Sequence, residues 1–174
     1  MHPEMSTRFG TTTDAACLAA LGSQVWLHTY AIEGIRPTIA RYVHEHLSPA
    51  AFGRYLERSD VFTLIAEVDV HLVGFAIVEV GKPCIAPSLA STHLDKLYVQ
   101  EHFARIGIGS ALLAAVRTEA VRLAGSSAVW LTVNSNNNRA QAFYARQGFT
   151  EVGVTHFDLY GEQHENRVLH ALDT

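Results

Sequence analysis

Ala104-Arg105-Ile106-Gly107-Ile108-Gly109-Ser110 lies between a strand-like run ending in Leu97-Tyr98-Val99 and an apolar stripe at helical spacing, and its reading decides the fold. Ile108, Leu112, Val116 and Leu123 form the stripe, with Arg117, Glu119 and Arg122 off it, which predicts a helix over 108–123 stopped by Gly125. Residues 93–99 predict a strand. A short glycine-bearing turn therefore feeds a strand into a helix N-terminus. Successive backbone N–H groups there, with the positive end of the helix dipole, suit a phosphate or pyrophosphate. Gly107 and Gly109 carry no Cβ and let a ligand approach the main chain. An ordinary strand-to-helix turn with two glycines fits the same residues, so the neighbouring sequence must decide.

Two familiar phosphate readers are excluded. A dinucleotide fingerprint needs glycine where this chain has Leu112, and no Gly-Lys-Ser/Thr of a P-loop follows. What does follow, 28 residues after Gly109, is Asn137-Asn138-Arg139-Ala140-Gln141-Ala142-Phe143-Tyr144-Ala145-Arg146-Gln147-Gly148-Phe149.

Working outward, Thr12, Thr13 and Asp14 offer caps to a first helix carrying Leu18, Leu21, Val25 and Trp26. A second helix is expected over 36–46, and Ser48-Pro49 predicts a third through Tyr55 to Arg58. Residues 61–68 and 72–80 read as an antiparallel hairpin, and 81–90, with Gly81, Pro83 and Pro87, as a loop. Beyond the central helix, 128–133 predicts a strand and 136–147 a helix closed by Gly148. Residues 149–159 and 167–172 predict two final strands joined by a polar turn over 160–166. The order ααα-ββ-β-α-β-α-ββ is that of an α+β layer fold, and with no repeat or linker in view residues 1–174 are expected to form one domain.

Composition narrows the function. Of 174 residues 17% are charged, below the usual value of about 25%, and 13 Lys+Arg against 17 Asp+Glu give a net charge of −4. No basic face exists to neutralise a run of phosphates, so a nucleic-acid partner is not expected. Cys17 and Cys84 form no CxxC pair and no disulfide framework, as expected of a reducing, cytoplasmic setting. Met1 to Gly10 has no apolar leader core, and residues 15–32, interrupted by Ser23, Gln24, His28 and Thr29, would not cross a bilayer. No membrane association follows. Ten histidines are present, but His44 and His46 fall on different helix faces and no HExxH or Cys/His cluster exists, so no metal is expected.

The two motifs together resemble the GCN5-related N-acetyltransferase (GNAT) superfamily. Its motif A is a strand, a Q/R-x-x-G-x-G/A turn and a helix, and its motif B ends in N-x-x-A-x-x-F-Y-x-x-x-G-F. Motif A reads here as Leu97-Tyr98-Val99 then Ala104 to Gly109; motif B matches at Asn137, Ala140, Phe143, Tyr144, Gly148 and Phe149. The chain departs at the first motif A position, where Ala104 stands and the arginine is displaced to Arg105. Val25-Trp26-Leu27-His28-Thr29-Tyr30, Leu97-Tyr98-Val99 and Gly153 to Asp158 are similar to the PaiA-like branch, which acetylates polyamines; that branch's acidic tail turn is represented by Gly161-Glu162-Gln163-His164-Glu165. The resemblance implies the GNAT acyltransferase fold, a mixed and mostly antiparallel sheet flanked by helices and splayed at its central strands. It also implies acetyl-CoA as cosubstrate, a small primary amine, with polyamine first, as acceptor, and a homodimer, a common state of small members.

The implied chemistry is attack by a neutral amine on a thioester. An amine of pKa about 10.4 is neutral in about 1 molecule in 2,500 at pH 7, a cost of about 4–5 kcal/mol that a base can partly offset. Glu79, His93 and Asp95 are candidate bases or acceptor contacts, although each also fits a solvated or structural role, since a one-residue error in phase inverts the face. The resemblance gives the cofactor to Leu97, Tyr98, Val99, Arg105, Ile106, Gly107, Ile108, Gly109, Ser110 and Asn137. It implies that the main-chain N–H near Val99 meets the thioester oxygen and that Tyr144 is the acid at the leaving sulfur. Asn137 also fits a plain helix cap, and Tyr144 a packed helix aromatic. Trp26, Tyr30 and Glu33 offer an aromatic and carboxylate wall to a cationic acceptor, or simply core. Other acceptors of the same chemistry are a protein N-terminus, a lysine or an amino antibiotic. A non-catalytic acyl-CoA sensor is the alternative from another class.

Overall fold

The structure is a computed structural model and describes residues 5–173, so the first four residues of the Met1–Gly10 stretch read above lie outside the described residues. In chain order the elements are β1 (Met5–Phe9), α1 (Ala15–Tyr30), α2 (Pro37–His46), α3 (Pro49–Glu57), β2 (Val61–Val68), β3 (His71–Val80) and β4 (Thr92–Val99). There follow α4 (Ile108–Ala124), β5 (Val129–Asn134), α5 (Asn138–Arg146), β6 (Thr150–Leu159) and β7 (Glu162–Ala171). The strands form one seven-stranded mixed sheet in the order β1-β2-β3-β4-β5-β7-β6. This is the expected α+β arrangement, with one strand added at the N-terminus.

Two compact units divide the chain, one of residues up to Val78 with Lys96–Val116, the other of Glu79–Asp95 with residues from Arg117 onward. In the first, α2 and α3 open with Pro37 and Pro49 at a position where a missing N–H costs nothing, and the Ser48 hydroxyl accepts the Ala51 N–H at 3.2 Å. α1, α2 and α3 bury Leu18, Trp26, Ile39 and Phe52 against Ile65, Phe75 and Ile77 of the sheet. Phe52 meets Phe75 edge-on at 5.5 Å, and Gly22 makes room for it: a Cβ there would lie 2.9 Å from the Phe52 ring. On the alternate phase of β3, Gly74 receives Ile108 and Leu112 of α4 so closely that a Cβ would lie 3.0 Å from the Tyr98 carbonyl and 3.2 Å from Ile108. That glycine sets the height at which α4 begins.

β1 was not expected from the sequence, because all five of its side chains are exposed and no alternation marks it. It pairs antiparallel with β2, Met5 opposite Val68 through Phe9 opposite Leu64. Arg8 holds it by donating to both Asp14 oxygens at 2.9 Å and to Glu67 at 3.0 and 2.7 Å.

In the second unit, β5 pairs antiparallel with β7 from Val129–Ala171 to Asn134–Asn166, and β7 pairs with β6. β7 starts at Glu162, five residues before the sequence reading placed it. Tyr160 and Gly161, with φ of 52° and 94°, make a two-residue hairpin turn, so the polar residues 162–166 are ladder and not loop. α5 is shorter than expected by two residues at its start. Asn137 caps it by accepting the Ala140 N–H at 3.1 Å, and Gly148, at φ 82°, ends it. The Arg117 guanidinium donates to the Gln147 carbonyl at 2.7 Å and lies 5.4 Å from the Phe149 ring centre, fixing the end of α5.

Candidate functional site

The turn before α4 has the backbone of an anion cradle. Gln100 leaves β4 by donating to the Val73 carbonyl at 2.9 Å, and one 3₁₀ turn, Glu101–Phe103, carries the chain to Ala104. Arg105 and Gly107 then take left-handed conformations, φ 67° and 96°. For arginine this costs about 1 kcal/mol, a strain retained where the surroundings or a function require it. Ala111 N–H bonds the Gly107 carbonyl at 3.0 Å, so the Ile108, Gly109 and Ser110 amides lie in the first turn of α4, at the positive end of the helix dipole. Ile108 is 1% exposed and anchors the turn from below, while Arg105, Ile106 and Gly107 face solvent. A Cβ on Gly107 would meet nothing within 4 Å. Space does not restrict the residue there, and φ alone favours glycine. Ala104 supplies no charge; Arg105, exposed beside it, is the guanidinium nearest in sequence. Of the residues leading into the turn, Tyr98 packs on Phe75 at 5.4 Å and belongs to the core, with Leu97 and Val99 half-buried.

In the second unit the structure brings Glu79, His93 and Asp95 together, their ligand-type atoms within 4.8 Å of one another. His93 Nδ1 lies 2.8 Å from Glu79 Oε2, and the Lys82 ammonium donates to that same oxygen. The imidazole stacks on the Trp130 ring at 4.1 Å and 29°, because β4 and β5 run parallel there with His93 opposite Trp130. Glu79 and His93 are 7% and 6% exposed. Burial pushes Glu79 up, but the hydrogen bonds from Lys82 and His93 outweigh it and the carboxyl titrates below its usual range. Burial pushes His93 below its ordinary value, against the opposing pull of Glu79 and Asp95. The neutral imidazole then donates Nδ1–H to the carboxylate and presents Nε2 as a lone-pair acceptor. These three side chains have the donor types of a metal site, and the Lys82 ammonium shares Glu79 Oε2 with His93.

Tyr144 lies in the second unit on α5, 8% exposed, with its ring edge-on to Phe143 at 5.2 Å and to Phe149 at 5.4 Å. It is thus held as a packed aromatic whatever its hydroxyl does. Asn137 caps α5 through its side-chain oxygen, leaving its NH₂ as the group that can reach outward. In the first unit, Tyr30 and Glu33 line a hollow of about 220 Å³ with Ile32, Gly34, Ile35, Arg36 and Ile39. Trp26 does not line it. It is 6% exposed, stacked on Tyr42 at 4.5 Å, and supports Tyr30 from behind at 5.2 Å.

Three residues of consequence escaped the sequence reading. Gly74 sits within the apolar strand run Leu72 to Val78, where an isolated strand glycine is itself the sign of close backbone approach. Lys82 lies in a proline-bearing loop that gave no reason to look for a site residue. Trp130, 2% exposed, reads as core, yet its Nε1–H donates to the Lys82 carbonyl at 2.8 Å and holds that loop at the Glu79–His93 pair.

The sequence pattern of the acetyltransferase (GNAT) domain matches residues 26–158. An uncharacterised N-acetyltransferase of Mycobacterium tuberculosis is 34% identical over 154 residues, 88% of this chain and 94% of that protein. An N-alpha-acetyltransferase of Sulfurisphaera tokodaii is 32% identical over 117 residues, 64% of this chain and 70% of that protein. Among solved structures, the PaiA N-acetyltransferase of Thermoplasma acidophilum in complex with coenzyme A superposes with a TM-score of 0.77 at 21% identity, covering 97% of this chain and 99% of that one. Fold, motifs and relatives agree, and the chain belongs to the GNAT acetyltransferase family.

Proposed function

We propose that residues 1–174 act as one N-acetyltransferase domain that moves the acetyl group of acetyl-CoA, the cosubstrate of this family, to the primary amine of a small cation, a polyamine before others. The observation that carries this reading is His93: a buried imidazole whose pKa is pushed down by burial and whose Nδ1 is oriented by Glu79, leaving Nε2 as the ring's other nitrogen. A family of this chemistry needs a base for an ammonium acceptor, and His93 has the protonation state and orientation of one. The main-chain amides of the Gly107 turn hold the cosubstrate's diphosphate, with Arg105 beside them. Asn137 gives its free NH₂ to the cosubstrate's arm. The Val99 N–H opposes charge gathering on the carbonyl oxygen. Tyr144 donates a hydrogen bond toward the leaving sulfur; with a phenol near pKa 10 and a thiol near 8.5, full proton transfer in water is uphill by about 2 kcal/mol, so the bond has to strengthen as charge develops.

Polyamine as acceptor is supported by the net charge of −4, by Glu33 and Tyr30 in the hollow after α1, and by the PaiA motif resemblance. A polypeptide α-amine is the second reading, favoured by the Sulfurisphaera relative. A reducing cytoplasm suits Cys17 and Cys84, both free, and no helix of the described residues is long and apolar enough to cross a membrane. A homodimer is proposed from the family resemblance.

Following free thiol on mixing the protein with acetyl-CoA and spermidine, a peptide with a free N-terminus, a lysine peptide or an aminoglycoside separates these readings. Release with spermidine at the lowest KM is expected. Release only with the α-amine peptide favours the second reading, and coenzyme A binding without release under any acceptor leaves a sensor.

A further inference from the structure

We propose that Lys82 is a positioning residue for His93, acting through the carboxylate oxygen the two side chains share; this rests on the reading of His93 as the base. Both the Lys82 ammonium and His93 Nδ1 converge on Glu79 Oε2. A carboxylate facing only an imidazole stabilises the imidazolium and draws a proton onto the ring, the wrong state for a base. An ammonium on the same oxygen offsets that charge, so Glu79 orients the ring without holding it protonated. Among the described residues the charged groups acting on the imidazole are Glu79 from β3, Asp95 from β4 and Lys82 from the loop 81–90, while β5 packs the uncharged Trp130 against it. Asp95 adds a second negative charge that pulls the proton toward His93, and Lys82 is the cation among these groups that opposes it.

The loop is built to keep that cation in place. The Lys82 carbonyl accepts the Trp130 indole N–H at 2.8 Å, and its ammonium lies 6.0 Å from the centre of the same ring. Cys84 N–H to the Ala90 carbonyl at 3.1 Å and Ser88 Oγ to His170 Nδ1 at 2.7 Å close the rest of the loop. Its start and its end are thus both tied to the second unit. The Lys82 side chain remains 44% exposed, so its replacement removes a charge and little packing.

NMR titration of the imidazole resonances of the whole chain tests this without reference to activity. Lys82→Met is expected to raise the His93 midpoint by about one pH unit relative to wild type, and Lys82→Arg to leave it near the wild-type value. In a Glu79→Gln background the effect of Lys82→Met is expected to shrink to less than half, because the shared acceptor is gone. Lys82→Gln serves in place of Lys82→Met if the latter fails to fold. An unmoved or lowered His93 midpoint after loss of the Lys82 charge overturns the proposal, as does a full shift persisting without Glu79. The acid limb of thiol release, measured alongside, is expected to follow the NMR midpoint. Should the midpoint move and the limb stay, the tuning stands and the base assignment falls.

Discussion

His93, pushed down by burial, has consequences opposite in sign to those of a histidine whose pKa is raised by an acidic partner. Its burial disfavours the charged form, so activity is expected to fall on acidification with a midpoint below about 6.5, the ordinary histidine value. The sign for stability is the same: a histidine whose folded pKa is depressed contributes stability fully present above the unfolded value and lost as pH falls through the folded one. His93→Gln is expected to lower kcat by about 10²-fold and to remove that acid limb from the pH profile. A retained limb would assign it to another group. Tyr144→Phe is expected to lower kcat by about 10²-fold with coenzyme A affinity, by calorimetry, changed less than about twofold. The ring is already held by Phe143 and Phe149, so loss of the hydroxyl leaves the packing intact. Unchanged turnover would confine Tyr144 to that packing role. At this scale the sequence named His93 and Glu79 but could not pair them, since side-chain phase on two separate strands fixes which residues meet.

Among the elements, the seat of α4 depends on Gly74. Gly74→Val places a branched side chain against the Tyr98 carbonyl, Ile108 and Leu112, and is expected to cost about 1–3 kcal/mol of stability while weakening coenzyme A binding more than a surface change of equal cost. Chemical denaturation and calorimetry on one variant separate the two effects. At the other end of the first unit, β1 depends on Arg8 and Asp14. The Arg8 guanidinium holds Asp14 down at about 2 from 3.8. A depressed carboxylate contributes stability present above its unfolded pKa and lost as pH falls through its folded one, here between about pH 4 and 2. With Arg8 41% exposed and solvent screening the pair, the contribution is about 1 kcal/mol. Asp14→Asn is expected to flatten acid unfolding monitored by circular dichroism in that window; an unaltered curve would assign the acid sensitivity elsewhere.

The same elements show what a sequence exposes. α3 was legible from Ser48-Pro49 and the β2–β3 hairpin from branched runs, because caps and burial write local patterns. β1 and the first half of β7 were not legible. β1 is exposed on all five side chains and Glu162–Asn166 of β7 are polar throughout, so neither carries the apolar–polar alternation that marks a half-buried strand in sequence, and their pairing is decided by partners distant in sequence.

Over the whole molecule, the family was readable because the donors proposed to hold a diphosphate are main-chain groups, and the sequence reports such a turn through glycine spacing. Lys82 and Trp130 left no such mark, since a tuning charge in a loop has no spacing rule. The account depends on the cradle before α4, and a comparison of ligands tests it most directly. Calorimetric titration of the whole chain with coenzyme A and with pantetheine, which has the same thiol arm but no diphosphate, is expected to show coenzyme A bound at least about 100-fold more tightly, with Gly107→Val abolishing the difference. Equal affinity for the two, or a Gly107→Val protein that keeps the preference, would contradict it.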